Sequence, residues 1–116
     1  MNTRELFLRV LATCELGEDE FLCFLADTVR SLLALYPTGL LHPAGDGEIR
    51  LPASLDEECG LHPLYDGALV AGVIAGKTRE AADRATFLTE ADHAFRKLWR
   101  EAAARRRARR KGGACR

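Results

Sequence analysis

The segment Ala71-x-x-x-x-Gly76-Lys77-Thr78 is the sharpest chemical motif in this 116-residue chain. It satisfies a permissive form of the phosphate-binding loop, with Ala in place of the first Gly. In such a loop backbone N–H groups cradle phosphates, the lysine reaches the terminal ones and the threonine holds magnesium. The chemistry requires a parallel-sheet strand before the loop and a distant acid at the end of an apolar strand. Here Pro63 to Ala75 is spaced as a helix, and no apolar strand ending in Asp follows. A helix ending at Gly76 and another capped by Thr78 account for the same letters, so no nucleotide or other cofactor is expected.

The remaining reactive residues do not form a set. Cys14, Cys23, Cys59 and Cys115 contain no Cys-x-x-Cys pair. They are expected to be reduced thiols, two of them on apolar helical faces where a free cysteine acts as a small hydrophobe. Cys59 with His62 is half of a zinc site, and no second pair completes it, so no metal is expected. His42, His62 and His93 are scattered, and none pairs with a nucleophile at a recognisable spacing. His93 precedes Phe95 and is expected to flank the core. Asp56-Glu57-Glu58 reads as a solvated acidic turn without the ligand spacing of a calcium loop. No catalytic residue is assigned, and the chain is expected not to be an enzyme.

Charge is the informative property. The first 95 residues carry seven basic residues against sixteen acids, a net −9; from Arg96 onward ten basic residues face one acid, Glu101, a net +9. Overall neutrality is therefore a cancellation, and such polarity speaks to partners rather than to fold. The tail Arg105-Arg106-Arg107-Ala108-Arg109-Arg110-Lys111 is the candidate interaction site. Three uses fit it: a solubilising arm, salt-dependent and sequence-independent contact with nucleic-acid phosphates, and docking on an acidic protein surface, a neighbouring copy included. No aromatics interleave the arginines, which disfavours stacking on single strands.

These residues must be carried by one small domain. A chain of this length buries roughly two-thirds of its unfolded surface, enough for a single core. Leu and Ala dominate the apolar residues and aromatics are few, a composition that favours helices. No apolar run reaches the ~18 residues needed to span a bilayer, so no membrane contact is expected. The acid at Glu5 argues against a secretory signal, and the chain reads as soluble and intracellular.

The periodicity predicts an all-α fold of four helices with a long last helix. Asn2-x-x-Glu5 forms a capping box opening the first helix, which carries Leu6, Phe7, Val10, Leu11 and Cys14 and ends by Gly17. Glu18, Asp19 and Glu20 open the second, whose stripe runs from Phe21 to Tyr36 before Pro37 stops it. Between helices 2 and 3 lies an excursion: a small β-hairpin over Leu40–His42 and Glu48–Leu51 turning at Gly45-Asp46-Gly47, or an irregular segment, with one helical turn at Ser54–Glu58. The third helix, Pro63 to Ala75, is small-residue rich and nearly uncharged, as a central helix would be, and Gly67 and Gly72 permit close approach of a neighbour. The fourth is capped by Thr78 and carries Ala81, Ala85, Leu88, Ala91, Phe95, Leu98, Trp99 and Ala102 as its stripe. Tyr65 and Trp99 are expected as core anchors, with exposure at an interface as the alternative. Residues 1–104 form the single helical domain, and residues 105–116 a basic, partly disordered tail.

The order of these parts resembles small head–tail connector (neck or adaptor) proteins of tailed bacteriophages and prophages. The resemblance is carried by Leu61-His62-Pro63-Leu64-Tyr65-Asp66-Gly67-Ala68-Leu69-Val70, then a helix with Phe87 and Ala94-Phe95-Arg96. It covers about Leu61 to Arg100, and more loosely the first helical pair. His62-Pro63-Leu64 replaces a simpler Leu-Pro element, and the Arg-rich end is longer than in that pattern. The resemblance implies a non-enzymatic virion protein, made in the bacterial host cytoplasm and placed at the phage neck. It would form a homo-oligomeric ring beneath the portal, with portal and tail proteins as partners and non-specific DNA contact through the arginines. The alternative is a small helical nucleic-acid-associated protein that binds phosphates through the same tail.

Overall fold

A computed structural model describes residues 2–44 and 47–114, with side chains through Arg110. The fold is helical: α1 Thr3–Leu11, α2 Glu18–Leu35, α3 Asp66–Thr78 and α4 Ala81–Ala114. The Asn2 side chain accepts from the Glu5 amide at 2.8 Å, satisfying one of the orphan donors that open α1. Gly17 caps α2, whose first turn carries Glu18, Asp19 and Glu20 where the helix dipole favours negative charge. Tyr36, ahead of Pro37, takes an extended conformation and ends it.

The third helix is the centre of the molecule. Ala68, Leu69, Ala71, Gly72, Val73 and Ala75 are all buried, because α1, α2 and α4 each pack on a different side of α3. Gly72 is the closest point of approach. A Cβ there would meet Thr28 Oγ1 of α2 at 2.8 Å and Phe87 Cδ1 of α4 at 3.0 Å, so only a bare backbone lets both neighbours in. The core then runs through Leu6 and Val10 of α1, Phe21, Leu25, Val29 and Leu32 of α2, and Phe87, Ala91, Ala94 and Leu98 of α4. Burial of each large side chain contributes about 1.5–3 kcal/mol.

The boundaries of α3 differ from those expected. Pro63–Tyr65 forms a 3-10 turn, with the amide of Leu64 held by His62, and the α-helix begins at Asp66. It passes Gly76 and ends at Thr78. Its cap is Arg79, a non-glycine residue at φ 58° whose amide donates to the Ala75 carbonyl at 2.9 Å. Gly76 lies within the helix, and a Cβ there would meet Phe24 Cδ1 at 2.8 Å, so its role is packing. The Thr78 hydroxyl is 3.4 Å from the Glu80 amide and donates to Asp83 at 2.6 Å, bracing the entry to α4.

The hairpin between helices 2 and 3 is absent among the described residues, and the excursion is irregular. Its extended stretches pair with the segment before α3 and not with each other: the Arg50 amide donates to Cys59 and the His62 amide to Leu41. Pro43 and Pro52 remove amide donors a short ladder would need. The proposed turn residues Gly45 and Asp46 lie outside the described residues. Ser54–Glu57 makes a single hydrogen-bonded turn rather than a helical one. Its acids are structural as well as solvated. Asp56 pairs with Arg4 at 3.0 Å, and the Glu57 carbonyl accepts from the Thr3 hydroxyl, tying the excursion to α1.

Candidate interaction surface

Arg105, Arg106, Arg107, Arg109 and Arg110 all project from α4 as exposed side chains. The Lys111 side chain lies outside the described residues. The helix that carries them is anchored by Phe87, Ala91, Ala94 and Leu98, and Leu98, at 6% exposure, is its last buried residue among the described side chains. The sixteen residues beyond Leu98, to Ala114, add about 24 Å at 1.5 Å each, and the molecule is accordingly elongated, 59 × 30 × 22 Å. The arginines therefore extend from a fixed place on the body as a helical arm.

The buried stripe of α4 differs in part from the expected one. Phe87 and Ala94 face the core, whereas Ala81 and Ala85 are exposed, Leu88 is 40% exposed and Trp99 is 51% exposed. Trp99 is thus a surface residue and not a core anchor, while Tyr65 is fully buried. Phe95 is half-buried and stacks on Tyr36, ring centroids 4.6 Å apart, closing the end of α2 against α4. Seen down the axis, Leu88, Trp99 and Arg106 fall within about 20° of one another, one line along the outer face of α4. His93 is exposed and does not flank the core.

A cleft of about 620 Å³ lies where the arm leaves the body, bordered by His42, Pro43 and His62 on one side and Leu98, Glu101 and Arg105 on the other. Both histidines accept backbone amide protons at Nδ1, from Ala44 at 2.9 Å and Leu64 at 3.1 Å. They serve as turn-capping groups, and sequence spacing alone did not bring them together.

The other candidate chemistry separates in space. Gly76, Lys77 and Thr78 form the last turn of α3, where helical amides are already bonded and cannot cradle a phosphate. Lys77 instead pairs with Glu20 at 2.9 Å. Cys59 is buried, and burial pushes its thiol pKa up; Cys14 is half-buried and shifted the same way for the same main reason, while Cys23 is exposed. No group of three or more metal-ligating side chains comes together among the described residues. Among them, too, no helix is long and apolar enough to cross a membrane. Comparison of the chain with protein-family models, curated proteins and solved structures finds no match to any of them.

Proposed function

We propose that this chain is a non-enzymatic virion subunit, a head–tail connector that forms a ring beneath the portal of a tailed phage and links capsid to tail. The carrying observation is Trp99, half-exposed on the outer line of α4 with Leu88. Large aromatics are enriched at protein interfaces, and a bare tryptophan beside a second exposed apolar residue suits a surface that other copies or a portal cover. Leu8 on α1, 60% exposed, and Leu35 at the end of α2, 50% exposed, add further uncovered apolar surface. The rigid insertion of α4 against α3 suits a subunit that must present these surfaces at a fixed angle. The resemblance over Leu61–Arg100 supplies the neck location.

The test is reconstitution with the portal protein encoded in the same genome, followed by electron microscopy of the mixture. A ring of this chain on the tail-facing end of the portal, lost with Trp99→Ala, is the expected result. No association with the portal at any ratio overturns the reading.

A further inference from the structure

We infer that the C-terminal arm is a groove-binding element for double-stranded DNA, seated between two phosphate walls. Successive residues of a helix turn by about 100°, which places Arg105, Arg109, Arg106, Arg110 and Arg107 in that angular order, spread over an arc of roughly 200°. Among the described side chains from Glu101 to Arg110, the remaining side of the arm holds Glu101, Ala104 and Ala108. A helix laid on a flat surface engages a stripe of about 100°. A helix inserted in the major groove of B-form DNA, ~12 Å wide against a helix diameter of 10–12 Å, is flanked by phosphates on both sides. The arginine arc matches the second geometry, with the one acid and the small residues turned outward.

The charge balance within the chain points the same way. Arg105 and Arg109, and Arg106 and Arg110, are like charges one turn apart, each pair mildly destabilising to the helix. Among the described residues these side chains make no ion pair, so the arm carries repulsion that an outside polyanion would relieve. Of the chain's seventeen acids, five are already engaged by other cations. Asp27, Glu48, Asp56, Glu20 and Asp92 are already paired with Arg30, Arg50, Arg4, Lys77 and Arg96. The net-negative body repels DNA while the arm attracts it, so the molecule would approach arm first. This inference stands apart from the connector reading: a chain that fails to bind a portal could still bind a duplex.

The experiment measures affinity of the full chain for a short random-sequence DNA duplex as a function of salt. Five neutralised phosphates give a slope of log affinity against log salt of about −4.5, a loss of roughly five-hundredfold between 50 and 200 mM. Each single Arg→Gln change across the arc, R105Q, R106Q, R107Q, R109Q or R110Q, should reduce the slope by about one. A104Q and A108Q on the outward side should leave affinity within about twofold. A slope shallower than about −2, or dependence on only two adjacent arginines, overturns the proposal. Equal affinity for an RNA duplex, whose major groove is too narrow for a helix, also overturns it. So does a result in which the same variants abolish salt-sensitive self-association without any retention on DNA, which assigns the arm to a protein surface.

Discussion

The Tyr65 hydroxyl donates to the Leu40 carbonyl at 3.1 Å, joining the turn that opens α3 to the start of the excursion 25 residues earlier. Tyr65 is fully buried, and burial, with a smaller contribution from Tyr36, pushes its pKa up to about 12. The neutral phenol is therefore the form the fold selects. Tyr65→Phe should cost about 1 kcal/mol, since it leaves a carbonyl short of a partner, and a thermal melt will show it. The pH dependence follows from the direction of the shift. Between the ordinary tyrosine value near 10 and about 12, the folded state holds a proton that the unfolded state has lost. This contribution is complete below pH 10 and declines as pH rises toward 12. Ultraviolet titration of the native protein should show Tyr65 ionising only near the top of that window. Ionisation near 10 would contradict the burial.

Gly72 is the tightest helix–helix contact and should be the least tolerant small residue. Gly72→Ala forces a methyl between Thr28 and Phe87, and overpacking of this kind costs about 1–3 kcal/mol. A gain in helix propensity of up to ~1 kcal/mol works against that cost, so Gly72→Val is the sharper variant. A fall of several degrees in the melting temperature is expected for it. An unchanged melt would mean that α2 and α4 do not approach α3 as closely as described.

The helices were legible in the sequence because their signals are local. Asn2 with Glu5, the acids after Gly17 and Pro37 each act within one turn, and all mark observed ends. The stripe of α4 differs from the expected one for a physical reason: the size of an apolar side chain does not by itself say which way it faces. Leu88 and Trp99 face out, while Ala94 is small and buried, because the notch at Gly72 fixes α4 by Phe87. That register is a tertiary fact. The excursion failed for the same reason, since the partners of Leu41 and Arg50 are His62 and Cys59, a pairing that alternation of residues within the segment cannot reveal. Of the candidate interaction site, charge and position were visible, but the angular spread of the arginines required the helix to be shown continuing past Ala104.

Thiol reactivity will grade the cysteines by burial. The thiolate is the reacting form, so a raised pKa and low exposure both slow alkylation. Cys23 on α2 should react first, Cys14 more slowly and Cys59 last, read by mass spectrometry of peptides from the native protein. In denaturant the three should converge. Rapid native labelling of Cys59 would show that the segment joining the excursion to α3 opens readily.

Removal of the arm tests whether it belongs to the core. Among the described side chains of α4 the last buried one is Leu98, and Arg105 through Arg110 are exposed, so a chain ending at Ala104 loses almost none of the described apolar contact. It also loses several like-charge neighbours one turn apart, each costing ~0.2–0.5 kcal/mol. The shortened chain should therefore melt at the same temperature as the full one, or slightly higher at low salt, where repulsion is least screened. Circular dichroism should fall only by the helical signal of the removed residues. A destabilisation of more than about 1 kcal/mol, beyond what exposed surface positions usually show, would mean that the arm packs against the body and is not presented to a partner.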